Sequence, residues 1–184
     1  GEEQSGHIKE VGIELYQSLL KAAVEINSVE GSLDIDEWSP QIQIGVSSKI
    51  PENYIEDVSL RLSMYRRIAL LKSEEEIDKM KQELVDRFGN LPKEVKTLLE
   101  IISIKQHCRN ANIYKIDAGK NGINIKFYKD IFPNPENLLK YITKNPNRIS
   151  VNGDQSIVIK KNMSNKNDRI KLVKDELMII TSLV

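Results

Sequence analysis

The apolar residues of this 184-residue chain change their spacing near residue 112. Before that point they recur every three or four positions, which is the period of helices with one buried face. After it, short segments rich in β-branched and aromatic residues are separated by Asn-Gly dipeptides, as in strands joined by hairpins. We therefore predict an α+β fold, with an N-terminal helical segment, a short helical bundle, and a small, mostly antiparallel sheet with two hairpins and packed helices.

Two helical stripes flank a connector in the first half. Residues 8–26 predict one amphipathic helix, and residues 31–54 predict a connector in which the segment QIQIGV forms a short strand. A second helix begins near Ile55 and ends by Lys72, with Arg61 on a side away from its apolar stripe. The residues predicted for that stripe are Val58, Leu62, Tyr65 and Ala69.

Two further helices follow after very short turns. Ser73 and Glu76 have the spacing of a capping box, so the glutamate run begins a helix, which Gly89 ends. Pro92 fits the first turn of the next helix. The predicted inward residues are Ile77, Met80, Leu84 and Phe88 in the first helix and Val95, Leu98, Leu99 and Ile102 in the second.

The second half predicts two hairpins and two helices. Asn121-Gly122 and Asn152-Gly153 are expected at hairpin turns, with positive φ at both central residues. Between the hairpins, a short helix begins at Asn134-Pro135, and residues 167–184 form a last helix. The predicted inward residues of the last helix are Ile170, Val173, Leu177 and Ile180.

Composition limits the class of protein. The 27 basic and 27 acidic residues cancel, so no overall charge attracts a phosphate backbone or an anionic membrane. The single cysteine cannot form an internal disulfide, and no apolar run approaches the roughly 20 residues of a membrane span. We expect a cytoplasmic protein without membrane partners. Because the sequence has neither a signal peptide nor an initiator methionine, we also expect it to begin inside a longer chain.

The sequence shows no pattern of a catalytic or metal site. It has no phosphate-binding glycine-rich motif, and its two histidines, His7 and His107, are far apart. Cys108 is expected to be a buried thiol beside an exposed His107. The carboxylates after Ser73 alternate with lysines on a helix surface, unlike acids tuned by an apolar pocket. We therefore predict no catalytic residue, metal or cofactor within this chain.

Charged side chains on the two central helices are the candidate binding residues. Paired arginines can bind carboxylates or phosphates of a partner through two parallel hydrogen bonds. Alternatively they pair within the chain, since the glutamate run lies just past the next turn. The candidate interdomain or partner contacts are Arg61, Arg66, Arg67, Glu74 and Glu75.

Four segments resemble the C-terminal part of the bacterial transcription-repair coupling factor (Mfd) family. They are GEEQSGHIKEVGIELYQSLLKAAV, IPENYIEDVSLRLSMYRRIA, ELVDRFGNLPKEVKTLLEI and IDAGKNGINIKF, in this order within residues 1–128. The resemblance implies that residues 1–30 are a helix trailing the translocation motif of an upstream motor. Gln4 matches the glutamine of that motif, which helps to couple ATP turnover to movement. Residues 31–54 are then a connector, and residues 55–184 a C-terminal regulatory α+β domain.

The resemblance also implies a function. The family consists of ATP-dependent translocases on double-stranded DNA that displace stalled RNA polymerase and recruit the nucleotide-excision-repair protein UvrA. ATP and magnesium are implied for a motor upstream of Gly1, not for this chain. The implied role here is autoinhibition, in which the C-terminal domain binds the UvrB-like module of the same protein and masks the surface that binds UvrA.

An accessory DNA-binding domain is the alternative function. Its basic contacts would be Arg66-Arg67, Lys160-Lys161 and Lys166. The zero net charge and the aromatic content of only 5% argue against this alternative, because strand-binding modules combine basic clusters with exposed aromatic rings.

Overall fold

The computed structural model describes residues 38–184, which form two compact units. Unit 1 comprises residues 47–103, and unit 2 comprises residues 38–46 and 104–184. Within these residues, five helices and one mixed sheet confirm the predicted α+β class. The helix predicted at residues 8–26, the segment 1–30 and Gln4 lie outside the described residues. The predicted domain boundaries stay a prediction.

Unit 1 is built from helices. Helix α1 spans Val58–Ala69 and α2 spans Glu74–Phe88. Helix α3 spans Lys93–Asn110, and its residues up to Ser103 belong to unit 1. Their apolar side chains form one buried cluster with Ile50 and Ile55 from the preceding loop. All the inward residues predicted for α2 and α3 belong to this cluster, with Phe88 only partly buried at its edge.

The ends of α2 follow from its sequence. The Ser73 hydroxyl accepts a hydrogen bond from the Glu76 amide at 3.1 Å, which confirms the predicted N-terminal cap. The Glu76 carboxylate reaches back to accept from the Lys72 amide at 2.6 Å, one residue before the usual partner in a capping box. At the other end Gly89 has φ of +91°, a conformation in which a side chain would be strained, and its amide closes the last turn.

The stripe predicted for α1 is right only in part, since Tyr65 is buried in the cluster and Ala69 packs against it, but Val58 is not buried. The buried residues of α1 are Arg61, Met64, Tyr65 and Ile68, whereas Val58 is 58% exposed. Arg61 therefore lies on the inner face, contrary to prediction. Its burial is possible because the guanidinium donates to the Ile55 carbonyl oxygen at 2.8 Å.

A buried hydrogen bond joins α1 to the loop that precedes it. The Tyr65 hydroxyl accepts from the Ile50 amide at 2.6 Å, and both residues are buried. Burial is also the main reason why the pKa of Tyr65 is raised, so the phenol stays neutral. Without this hydroxyl, the Ile50 amide would be buried without its partner.

We predict that Tyr65→Phe lowers the free energy of unfolding by about 1–2 kcal/mol, the usual cost of leaving one buried donor unsatisfied. Urea denaturation followed by circular dichroism measures this change. Tyr114→Phe is the matched control, since the half-buried Tyr114 hydroxyl makes no hydrogen bond within the described residues. Equal losses in the two variants would contradict the structural role of the Tyr65 hydroxyl.

Unit 2 is organised around a five-stranded sheet. Its strands are β1 (Gln41–Gln43), β2 (Ile113–Gly119), β3 (Gly122–Phe127), β4 (Ile149–Val151) and β5 (Ile157–Lys160). They lie in the order β1-β2-β3-β5-β4, and every neighbouring pair is antiparallel except β1 with β2. The short strand predicted within QIQIGV and the two hairpins are thus confirmed.

The turns of the hairpins differ from the prediction. Between β2 and β3 the loop is Lys120-Asn121, because Gly119 and Gly122 are already paired, and Asn121 does not have positive φ. Gly122 is needed for a different reason, since a Cβ there would lie 2.2 Å from the Ile159 carbonyl oxygen of β5. In the second hairpin the positive φ belongs to Gln155, at 64°, as in a type I turn followed by a left-handed residue.

Two helices complete unit 2. Helix α4 spans Pro135–Lys144, with Asn134 as its cap as predicted, and α5 spans Lys166–Ser182. The buried residues of α5 include Val173, Leu177 and Ile180, as predicted, while Ile170 is only half-buried. The charged residues Arg169 and Glu176 are buried too, which the apolar spacing did not indicate. Arg169 donates to the Met163 carbonyl oxygen and, at 3.0 Å, to the Ile44 carbonyl oxygen.

Candidate interaction surface

The predicted contact residues of unit 1 lie on different faces of its helices. Glu74 accepts a hydrogen bond from Ser103 of α3, whereas Glu75 is exposed and pairs with Lys79 at 2.9 Å along α2. Arg67 of α1 contacts another residue of α2, Glu83. The five candidates therefore do not form one binding site.

Two arginines share the Glu83 carboxylate, and we call Arg67, Glu83 and Arg87 the Glu83 cluster. Arg67 uses both terminal nitrogens, with Nη2 at 2.6 Å from Glu83 Oε1 and Nη1 in a shorter contact with Oε2. Arg87 lies one turn beyond Glu83 on α2 and donates to Oε2 at 3.1 Å. Both guanidinium groups also lie within 4 Å of the buried Met64 sulfur, at 3.8 and 3.9 Å. The cluster is thus ordered on its inner side.

The Glu83 cluster is accessible as well as ordered. Its side chains are 44% exposed for Arg67, 34% for Glu83 and 44% for Arg87. The hydrogen bond from Arg67 is the main reason why the pKa of Glu83 is lowered to about 2, with Arg87 adding to the effect. The same hydrogen bond raises the pKa of Arg67. One carboxylate faces two cations, so the cluster carries a net positive charge.

Arg61 and Arg66 have opposite environments. The side chain of Arg61 is only 9% exposed, and besides the Ile55 carbonyl its nearest charged group is Glu52 at 3.9 Å. Arg61 therefore supports the fold and is not part of the candidate surface. Arg66 is exposed and makes no ion pair with any of residues 38–184.

A cavity of about 400 Å³ in unit 1 lies beside α1. It is lined by residues 49–53 and by Val58, Arg61, Leu62 and Tyr65. Two of its polar groups are already used, since the Tyr65 hydroxyl accepts a hydrogen bond from the Ile50 amide and the Arg61 guanidinium donates to the Ile55 carbonyl oxygen. This chemistry supports the loop and does not resemble a set of groups converging on a ligand.

Unit 2 contains a second shared carboxylate, which is buried. The Glu176 side chain is 4% exposed and accepts from Arg148 at 2.7 Å and from Lys161 at 3.2 Å. The Tyr141 hydroxyl lies 2.6 Å from Arg148 Nη2 and 3.5 Å from Glu176. Pairing with Glu176 raises the pKa of Arg148, and burial raises the pKa of Tyr141.

The described residues offer little for metal or thiol chemistry. Within residues 38–184, no three His, Cys, Asp or Glu side chains come together as a metal site requires. Burial raises the pKa of the Cys108 thiol to about 12, so it stays protonated and unreactive. Cys108 is buried as predicted, but His107 is half-buried and not exposed. None of the described helices has the length and apolar character that a membrane crossing needs.

Comparison with known proteins places the chain in a family. The TRCF domain matches residues 44–138, which is more than half of the chain. The chain belongs to the transcription-repair coupling factor family. The resemblance noted in the four sequence segments is thereby confirmed, and the family is one of DNA repair.

Relatives of known name agree along most of the chain. The transcription-repair-coupling factor of Rickettsia conorii is 42% identical over 91% of this chain, and that of Escherichia coli is 34% identical over 95%. The chain spans about 15% of the length of either relative. A crystal structure of the C-terminal domain of transcription-repair coupling factor has the same fold, with a TM-score of 0.60 and 19% identity, over 79% of this chain and 95% of that one.

Sequence reasoning missed two members of the Glu83 cluster. Glu83 and Arg87 are four residues apart on one helix, so their mutual contact was readable from spacing. The contact between Arg67 and Glu83 could not be predicted from spacing, because it depends on how α1 and α2 align across their turn. The sequence suggested partners for the arginines in the correct helix, α2, but it suggested the glutamates just after Ser73 and not Glu83.

The lowered pKa of Glu83 predicts a pH dependence of stability in this family member. A carboxylate whose pKa is lower in the folded than in the unfolded protein stabilises the fold above its ordinary pKa of 4.5. This stabilisation is lost as the pH falls from about 4.5 to about 2. Glu83→Gln should therefore remove part of the acid sensitivity, by about 1 kcal/mol because the cluster is partly exposed.

Urea denaturation of the wild-type chain and of Glu83→Gln at a series of pH values measures this difference. Glu75→Gln is the matched control on the same helix, since both members of its ion pair with Lys79 are much more exposed. Parallel stability curves for the wild type and Glu83→Gln would contradict the assigned role of Glu83.

Proposed function

We propose that this chain is the regulatory, autoinhibitory domain of a transcription-repair coupling factor. In this role it binds the UvrB-like module of the same protein and covers the surface that binds UvrA. The rest of the parent protein would be an ATP-dependent translocase that uses ATP and magnesium, moves on double-stranded DNA and displaces RNA polymerase. The chain itself acts by binding and not by catalysis.

The single observation that supports a masking role is the Glu83 cluster. A reversible clamp needs a surface whose polar contacts can be exchanged at modest cost, as in interfaces between domains of one chain. Arg67, Glu83 and Arg87 satisfy one another, so the free surface is stable, yet each is about one-third or more exposed. A partner carboxylate can replace Glu83 at Arg87, whose contact with the cluster is the longer one.

Two exposed side chains lie close to Arg67 along α1. Arg66 is an exposed cation that precedes Arg67 in sequence, and Leu70, three residues after Arg67, is 60% exposed. Exposed arginine together with isolated apolar side chains is the composition of a small polar interface. The proposed docking surface therefore consists of the Glu83 cluster with Arg66, and it excludes the buried Arg61 and the distant Glu75.

We predict that Glu83→Lys in the full-length protein lowers its affinity for UvrA at least fivefold. Removing the competing carboxylate and adding a third cation strengthens the contact of the cluster with the partner carboxylate, which stabilises the clamp by about 1 kcal/mol or more and keeps the UvrA-binding surface covered. Surface-immobilised UvrA and titrated full-length protein give the affinity directly. The variant is made in the full-length protein because tethering gives the clamp a high effective concentration.

Glu75→Lys is the matched control, because it makes the same charge change on the same helix away from the cluster. We expect its affinity for UvrA to equal that of the wild type. If Glu83→Lys leaves the affinity unchanged while a full-length protein without residues 38–184 binds UvrA more tightly, the masking role survives but this surface is wrong. If that deletion changes nothing either, autoinhibition by this chain is wrong.

A further inference from the structure

Unit 2 is strongly basic, although the whole chain has zero net charge. Residues 38–46 and 104–184, the described part of unit 2, contain fifteen lysines and arginines and seven aspartates and glutamates. Residues 47–103 of unit 1 contain ten basic and eleven acidic residues. The first 37 residues contain two basic and nine acidic residues. The described part of unit 2 thus has eight more basic than acidic residues. The zero net charge of the whole chain therefore does not argue against a polyanionic partner for this unit.

Part of this charge surrounds a shallow cavity of about 360 Å³, which we call the basic cleft. Its lining consists of Lys120 and Asn121 from the β2–β3 turn and of Lys160, Lys161 and Asn162 from the end of β5. Lys120 and Lys160 are exposed, and neither forms an ion pair within the described residues. Every side chain of the lining ends in an ammonium or an amide group, and both can donate hydrogen bonds to phosphate oxygens.

Backbone contacts hold the two sides of the basic cleft together. The Lys161 amide donates to the Asn121 carbonyl oxygen at 3.0 Å, and the Met163 amide donates to the Lys120 carbonyl oxygen at 2.8 Å. Lys160 is the partner of Gly122 in the β3–β5 register, so it also lies beside the turn. The lysines therefore stand on a fixed backbone frame, which lowers the entropy lost when they bind a ligand.

Two further cations increase the local charge. Lys161 is oriented by Glu176 at 3.2 Å, and the same carboxylate is already paired with Arg148 at 2.7 Å. One acidic group thus faces two basic ones, while Lys120 and Lys160 add charge without a counter-ion among the described residues. The cleft and its immediate support carry four cations and one anion.

We propose that the basic cleft binds the phosphate backbone of duplex nucleic acid. The lining contains no aromatic ring on which an unpaired base could stack, so single strands have no special contact there. It also contains no apolar side chain that could insert into a lipid surface. Lysine ammonium and asparagine amide groups, from the β2–β3 turn and from the adjacent end of β5, suit closely spaced phosphates, which position a protein without reading sequence.

This inference is separate from the masking role. It rests on residues of unit 2, whereas the proposed docking surface rests on residues of unit 1. Loss of duplex binding would leave the UvrA experiment unaffected, and the reverse also holds.

The test is the salt dependence of binding between the 184-residue chain and a fluorescein-labelled, blunt-ended DNA duplex, measured by fluorescence anisotropy. The wild type is expected to bind at low salt with an affinity that falls as salt rises. Each phosphate contact contributes about 0.9 to the slope of log affinity against log salt. Lys120→Gln/Lys160→Gln should therefore lower the slope by about 1.8 and weaken binding several-fold at low salt.

Two double variants distinguish the cleft from a general field of charge. Lys115→Gln/Lys129→Gln makes the same charge change toward the other end of the β2–β3 hairpin and should keep the wild-type slope within about 0.5. Lys120→Arg/Lys160→Arg keeps the charge and should keep the binding. Circular dichroism checks that each variant is folded. A wild type that fails to bind at low salt, or equal losses in the two glutamine variants, overturns the proposal.

Poly-glutamate tests the class of partner. If the basic cleft is built for duplex phosphates, poly-glutamate at equal charge concentration should displace the labelled duplex poorly. Displacement at least as strong as that by unlabelled duplex would overturn nucleic acid as the partner and indicate an acidic protein instead.

Discussion

Unit 2 depends on the pairing of one buried carboxylate. A charge as buried as that of Glu176 is tolerated only if opposite charges and hydrogen bonds replace the water it has lost. Arg148, Lys161 and Tyr141 supply these contacts, so the carboxylate joins α5 to the end of β5 and to the segment between α4 and β4. The position of Lys161 in the basic cleft is therefore a result of how the core neutralises its own charge.

The Glu83 cluster uses the same chemistry with the opposite consequence. It too has one carboxylate shared by two cations, but its side chains are roughly one-third to one-half exposed. Water can replace each contact there, which keeps the net contribution to stability small and makes exchange with a partner easy. The degree of burial thus separates an ionic group that fixes the fold from one that is suited to a reversible interface.

Apolar spacing predicted α2, α3 and the strands because their buried faces are made of apolar residues. For α1 it was right only in part, because a long arginine side chain also occupies the inner face and donates to a backbone carbonyl. The sequence placed Gly122 at a turn, but a glycine is required there because β5 approaches closely. That approach depends on the strand order and cannot be predicted from the neighbouring sequence. The same holds for the two sites, since Arg67 meets Glu83 and Lys120 lies beside Lys160 only once separate elements are paired.

Within residues 38–184, the sheet of unit 2 ends on both sides in strands of only three residues, β1 and β4. Short edges offer few free amides and carbonyls to a second molecule, which limits aggregation by strand addition. On one side this protection comes from Gln41–Gln43, a segment far in sequence from the β2 strand that it covers. A chain shortened to begin after residue 46 would leave the seven residues of β2 as an open edge, and such a truncation would be prone to assemble into intermolecular sheets.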